Sequence, residues 1–238
     1  MKIALIGYGK MGKIIDQLAS QDGHEVVLRI DKDNQEEFTP EQLAKAEVAI
    51  EFSRPESAFD NIRRCLEAGL PLVSGTTGWL HHLEEAKQLA SDKQTGFVYA
   101  SNFSVGVNLF FILNEQLAAM MNPHPGYEVS MTEIHHTQKL DAPSGTAITL
   151  AEGILDKLDR KTSWVNQASQ TSEELPIISE RIDPTPGTHA IRYQSSIDEI
   201  EIVHTARSRE GFARGAILAA RWIIGKKGFY GMREVLGF

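Results

Sequence analysis

The run Gly7-Tyr-Gly-Lys-Met-Gly12 constrains this chain most. It lies between a short apolar segment, Lys2-Ile-Ala-Leu-Ile6, and an amphipathic one, Lys13-Ile-Ile-Asp-Gln-Leu-Ala19. A G-x-G-x-x-G pattern alone is weak, but between a first strand and a first helix it is in the context a dinucleotide-binding turn requires. The first two glycines permit a tight turn close to a pyrophosphate, and the third permits close packing of helix on strand. Tyr8, Lys10 and Met11 fill the positions between them. A second apolar run, His24–Ile30, ends in Asp31-Lys32. Asp31 lies about twenty residues past the turn, where a carboxylate accepts both ribose hydroxyls of an NAD-type cofactor. Lys32 beside it would tolerate a 2′-phosphate, so NADPH use stays open next to NADH.

Strand and helix patterns then alternate. Val48–Phe52 is a strand, Glu56–Gly69 a helix stopped by Gly69, and Leu72–Ser74 a strand followed by Gly75-Thr-Thr-Gly78. Leu80–Ser91 is an amphipathic helix and Gly96–Ala100 a strand. This order predicts a doubly wound parallel sheet of the Rossmann type. Gln35–Ala46 reads as a connection with a helical turn. Asn108 opens an apolar helix over Leu109–Met121, whose aromatics and methionines are core rather than a ligand box. Further on, Glu128–Ile134, His189–Tyr193 and Glu199–Ala206 are strands, the last alternating charged and apolar side chains as a half-buried sheet does. Ser163–Pro186 is polar and turn-rich, with a strand centre at Ile177-Ile178. Together they predict a second, α+β part with a mostly antiparallel open sheet.

Composition matters for what it excludes. The 238 residues carry a net charge of −8, which disfavours nucleic acid as the main partner. No apolar run approaches the ~20 residues that span a membrane, so a cytoplasmic protein is the expectation. The single cysteine, Cys65, excludes an internal disulfide and reads as a buried helix residue. No metal site is expected. An anionic substrate would need a local positive site.

Glu133-Ile-His-His-Thr-Gln-Lys-Leu-Asp-Ala-Pro-Ser-Gly-Thr-Ala147 supplies one. His135 or His136 can exchange a proton near neutral pH. Lys139 offers a positive charge to a carboxylate or a developing anion. Ser144 stands where an N-cap belongs, so the N–H groups of Gly145 and Thr146 open a helix and can bind carboxylate oxygens. A bare His-His pair is more often a solvated surface feature. The density of the whole stretch points instead to an anion site with a proton donor beside it.

This run resembles the signature of the 4-hydroxy-tetrahydrodipicolinate reductase family, Glu-x-His-His-x-x-Lys-x-Asp-Ala-Pro-Ser-Gly-Thr-Ala, at every fixed position. The resemblance implies NADH- or NADPH-dependent reduction of a small anionic dicarboxylate in the diaminopimelate route to lysine. It also implies a dinucleotide-binding domain of residues 1–104 with 210–238, and a substrate-binding and oligomerisation domain of residues 105–209. By the same resemblance Gly75, Thr76 and Thr77 contact the nicotinamide side. Ala100, Ser101, Asn102 and Phe103, at the start of and just before an Asn-Phe-Ser-x-Gly-Val-Asn run over residues 102–108, line the cofactor near the interdomain hinge. Family members tetramerise through the second sheet. The apolar helix Gly215–Ile224 returns to the first domain, and arginines 207, 209 and 214 form a basic turn near the junction. Many relatives carry Gly-x-x-Gly-x-Met-Gly where this chain has one residue fewer, and the chain is shorter than many of them.

The expected division of labour is therefore specific. Gly7–Gly12, Asp31 and residues 75–77 hold the cofactor. Lys139, Gly145 and Thr146 clamp a carboxylate, and His136 orients the ring. His135 is the leading proton donor, with Lys139 as competitor or partner. Two rivals make different demands. Another two-domain NAD(P) dehydrogenase would not need the His-His-x-x-Lys run, and a nicotinamide-binding sensor would not need a proton donor.

Overall fold

The computed structural model describes residues 1–169 and 171–238. In chain order the elements are β1 (Lys2–Ile6), α1 (Lys10–Gln21), β2 (Glu25–Ile30), α2 (Pro40–Leu43), β3 (Val48–Glu51), α3 (Pro55–Glu67), β4 (Leu72–Ser74), α4 (Leu83–Asp92) and β5 (Gly96–Tyr99). There follow α5 (Val105–Met121), β6 (Glu128–His135), α6 (Gly145–Leu155), β7 (Ser163–Val165), β8 (Glu174–Arg181), β9 (Gly187–Gln194), β10 (Glu199–Ala206), α7 (Glu210–Ile223), β11 (Gly228–Tyr230) and α8 (Met232–Leu236). They form two compact units, Met1–Val105 with Glu210–Phe238, and Gly106–Arg209.

The first unit is a six-stranded sheet in the order β11-β5-β4-β3-β1-β2, every pairing parallel. Its inner strands β1, β3 and β4 are buried along almost their whole length, because helices cover both faces, while the edge strand β2 keeps Glu25 and Arg29 exposed. On β1 the two-residue period sends Ile3 and Leu5 to one face, with Ile15 and Leu18 of α1 and Ala216 and Ala220 of α7. Ala4 and Ile6 go to the other, with Ile62, Cys65 and Leu66 of α3 and Ala86 of α4. Each fully buried Ile or Leu contributes roughly 1.5–3 kcal/mol. Pro55 at the first position of α3 and the Thr39 side chain accepting the Gln42 N–H at α2 set those helix starts.

The second unit is a five-stranded sheet ordered β10-β9-β6-β8-β7. Its longest pairings, β10–β9 and β9–β6, are antiparallel, while β6–β8 and β8–β7 are parallel. One face carries Met131, Ile177 and Ile191 against Leu150, Ala151 and Ile154 of α6 and Phe110 of α5.

Some elements exceed the local pattern. Helix α5 begins at Val105 rather than Asn108, and α7 at Glu210 rather than Gly215. The strand centre expected at Ile177-Ile178 lies within β8, and the described residues of Ser163–Pro186 add β7, which the polar, turn-rich pattern does not announce. β11 has too short an apolar run to announce itself, and exists by pairing with β5 in the register Gly228↔Gly96.

Candidate active site

In the first unit the strand order reverses between β1 and β3. The chains leaving their carboxyl ends therefore diverge and open a crevice, the usual place for a ligand in such sheets. A cavity of about 760 Å³ lies there, lined by Gly7, Gly9, Asp31, Lys32, Phe52, Ser53 and Arg54 among others. That volume suits a small-molecule ligand.

The three glycines of the turn do different things. Gly7 adopts φ +96°, and a Cβ there would lie 2.0 Å from the Phe52 carbonyl oxygen. At Gly12 a Cβ would lie 2.3 Å from the Gly7 carbonyl oxygen, so the turn closes on itself. A Cβ at Gly9 would meet nothing within 4 Å. Helix α1 then starts with no side-chain cap and no acidic residue in its first turn. Its leading N–H groups and positive dipole end face open space at Gly9, which fits an anion such as a pyrophosphate. The Tyr8 hydroxyl donates to Asp16 Oδ2 at 2.5 Å, and Asp16 also takes Arg29 Nε at 2.7 Å and Nη2 at 2.9 Å. Tyr8 is thus tethered to its own helix. Lys10 is exposed, and Met11 packs against the core.

Asp31 is exposed at the cavity wall. Its N–H donates to Asn34 Oδ1 at 2.8 Å, and its Oδ1 accepts the Lys32 N–H at 2.9 Å, which fixes the turn. The other expected cofactor residues lie outside that cavity lining. A Cβ at Gly75 would lie 2.1 Å from the Phe52 ring, so glycine here makes room for that phenyl group. The buried Thr76 hydroxyl donates to Glu51 Oε1 and accepts the Ser53 N–H, both at 2.8 Å, and Thr77 is exposed. Past β5, Ala100 packs on the core, Ser101 is exposed and Asn102 Oδ1 accepts the Ser104 N–H. Phe103 is core, edge-on to Phe52 at 5.9 Å.

In the second unit the 133–147 stretch folds into a strand end, a loop and a helix start. Glu133 and His135 share the buried face of β6, and the Glu133 carboxylate Oε2 hydrogen-bonds His135 Nδ1. Arg181 Nη1 meets the other oxygen, Oε1, at 3.0 Å. Burial alone would raise the Glu133 carboxyl. Hydrogen bonds from His135, Ser179 and Arg181 outweigh it and hold the group at about 2. Its charge in turn favours an Nδ1–H on His135, which leaves Nε2 as the nitrogen free to exchange a proton. Gly187 provides room there, since a Cβ on it would lie 3.1 Å from Nε2.

Ser144 caps α6, its Oγ accepting the Ala147 N–H at 3.2 Å. Gly145 is exposed, and nothing lies within 4 Å of a Cβ placed on it. Thr146 is half-buried beside it. Lys139 Nζ pairs with both oxygens of Asp141 at 2.8 Å, and the lysine holds that carboxyl below its usual range. Arg181 pins this loop, donating to the Lys139 and Asp141 carbonyls. His136 is half-buried at the loop start. Arg207 and Arg209 are exposed; Arg214 is bound to Glu210 at 2.7 Å and Asp22 at 3.5 Å.

Several residues here escape sequence reading. His189 of β9 is buried, its ring edge-on to His135 at 5.2 Å and its Nε2 3.0 Å from Ser144 Oγ. Burial, with His135 adding to it, pushes His189 down to about 4, so it stays neutral. Arg181 and His189 are 46 and 54 residues from His135, and only sheet pairing brings them in. Glu133 was readable, because residues two apart on a strand share a face. Glu133, His135 and His189 also place one ligand-type atom each within 4.8 Å of one another. Arg181 already brings positive charge to that carboxylate, and the group reads as a hydrogen-bond network.

Against this geometry stand the comparisons with known proteins. The family model described as dihydrodipicolinate reductase, N-terminus, matches residues 1–103, and that for the C-terminus matches residues 106–236. The chain belongs to the dihydrodipicolinate reductase family. It is 46% identical over 237 residues to a 4-hydroxy-tetrahydrodipicolinate reductase of Christiangramia forsetii, covering 99% of this chain and 98% of that one. It is 37% identical over 202 residues to a protein of the same name from Neisseria meningitidis, covering 82% and 74%. In fold it is similar to a dipicolinate-bound dihydrodipicolinate reductase from a Paenisporosarcina species, with a TM-score of 0.78, 23% identity and 97% of each chain covered. Membership in this reductase family accounts for both a glycine turn after β1 and a histidine–lysine loop in one chain.

Proposed function

We propose that this chain catalyses the NAD(P)H-dependent reduction of 4-hydroxy-tetrahydrodipicolinate to tetrahydrodipicolinate, with loss of water, in the diaminopimelate and lysine pathway. The observation that carries the reading is the buried Glu133–His135 pair, linked through the His189 ring to Ser144, the cap of α6. It joins a proton donor to a carboxylate site, a combination that a sensor has no use for.

Gly7–Gly12 and the amide end of α1 hold the cofactor pyrophosphate, and Asp31 accepts ribose hydroxyls. Lys32 and Arg54 line the same cavity as Asp31 and would meet a 2′-phosphate, so NADH and NADPH are both accepted. When bound, the cofactor supplies the hydride. The N–H groups of Gly145 and Thr146 take one substrate carboxylate. Lys139 exchanges Asp141 for substrate, so its charge stays paired throughout. His136 orients the ring, and protonated His135 delivers a proton from Nε2 while Glu133 steadies the imidazolium. Such general acid catalysis contributes roughly two to four powers of ten in rate. The dipicolinate named with the Paenisporosarcina structure is a small dicarboxylate, the ligand class this site suits.

The same reading places the protein in the cytoplasm; among the described residues no helix is long and apolar enough to cross a membrane. It also makes the protein a homotetramer. The outer face of the second sheet carries the cross-strand row Val203, Ala190, Thr132 and Ile178, with Val203 52% and Ile178 37% exposed. A second copy of that face would cover it.

The test is direct. Purified protein is mixed with freshly generated 4-hydroxy-tetrahydrodipicolinate, and the absorbance of NADH, then NADPH, is followed. Substrate-dependent oxidation is expected. Absence of oxidation with both cofactors would end the reading.

A further inference from the structure

Glu51 closes β3 next to the point where the strand order reverses, and its side chain is wholly buried. Burial on that scale pushes its carboxyl up, and the neighbouring structure compensates with donors. The Ser53 N–H reaches Oε1 at 3.0 Å and the Thr76 hydroxyl reaches it at 2.8 Å, with the Ser53 hydroxyl bonded to the same oxygen. The Ser74 hydroxyl reaches Oε2 at 2.6 Å. Ser53 belongs to the loop leaving β3, Ser74 is the last residue of β4 and Thr76 belongs to the loop that follows it. A third element joins through Asn61 of α3, whose Nδ2 lies 3.1 Å from Ser53 Oγ.

Ser53 and Asn61 line the cavity, and Glu51 does not. The carboxylate therefore sits behind the wall and holds it. We infer that Glu51 is a positioning residue for dinucleotide binding, joining the β3 and β4 loops so that the Phe52–Ser53 turn keeps the shape a nucleotide needs. Its acceptor geometry, rather than its charge, does this. A glutamine can keep its oxygen on the Ser53 and Thr76 side, while the Ser74 hydroxyl turns to accept from the new amide. A leucine of similar size takes the acceptor away from the Ser53, Ser74 and Thr76 hydroxyls inside the sheet and leaves the Ser53 N–H to Thr76 alone.

The inference rests on the cofactor reading, and the experiment separates the two. NADH binding to the whole protein is measured by fluorescence titration for wild type, Glu51→Leu and Glu51→Gln, with cofactor KM and kcat alongside. Glu51→Leu is expected to weaken NADH by about tenfold or more, with cofactor KM moving far more than kcat, and Glu51→Gln to recover most of the loss. Should Glu51→Leu fail to fold, Thr76→Val removes the one hydroxyl that joins the β4 loop to both Glu51 and the Ser53 N–H, and is expected to weaken NADH by about threefold or more. Wild-type affinity in Glu51→Leu, or in Thr76→Val where that replaces it, overturns the inference and leaves the cofactor reading standing. Equal loss in the leucine and glutamine variants overturns it as well. A wild-type protein that does not bind NADH or NADPH overturns the cofactor reading and this inference together.

Discussion

On β6 the carboxylate of Glu133 takes the Nδ1 corner of the His135 ring, two residues along the same buried face. A carboxylate so placed sets the tautomer and steadies the imidazolium, as the aspartate of a hydrolase triad does. Glu133→Gln should lower kcat by about a hundredfold with the cofactor KM unchanged. Steady-state kinetics over a range of pH would check this; a wild-type kcat would remove Glu133 from the proton path.

His135→Gln and Lys139→Ala should each leave NADH affinity nearly intact and lower turnover by roughly a hundredfold or more. Fluorescence titration and single-turnover rates measure the two quantities independently. Wild-type turnover in either variant would end the role assigned to it.

Gly7 and Gly9 should part company. Gly7→Ala combines φ +96° with a 2.0 Å approach to the Phe52 carbonyl, so it should lower the melting temperature clearly. Gly9→Ala meets no protein atom and should change stability by less than about 0.5 kcal/mol. Its methyl group stands in the space for the pyrophosphate, so NADH affinity should fall by about tenfold or more. Equal NADH binding in Gly9→Ala and wild type would move the cofactor off this turn.

Stability should fall with acid in two stages. His189 is held at about 4, below the 6.5 of an exposed histidine, so the unfolded chain binds its proton first. Its contribution is complete above about 6.5 and is lost as pH falls toward 4, by up to roughly 3 kcal/mol. Glu133, held at about 2, adds a further loss as pH falls from about 4.5 toward 2. Urea denaturation from pH 8 to pH 4 should show the first stage, and His189→Gln should flatten it. An unchanged slope in that variant would assign the loss elsewhere.

Val203→Arg puts a charge in the exposed row on the second sheet's outer face. Light scattering should show a tetramer for wild type and a smaller species for the variant, because buried unpaired charge opposes association. A wild-type monomer would remove the proposed assembly, and a variant that stays tetrameric would move the interface elsewhere.

Much of this molecule is local in origin, and that part is legible in the sequence. The glycine turn, the largely apolar inner strands and the Ser144 cap each depend on neighbours a few residues away, so spacing and side-chain type determine them. Glu133 and His135 belong here too, since a strand's period alone puts them together. Other features depend on pairing between distant segments. β11 has no signal of its own and is a strand because β5 supplies its hydrogen bonds. His189 and Arg181 reach His135 only through the β6–β9 and β6–β8 registers, in which Glu133↔His189 and His135↔Arg181 are partners. In the sequence Glu51 is one more acidic residue at a strand end. Folding put its carboxylate out of water, and burial is a property of the whole sheet and its helices, which no single stretch of chain contains.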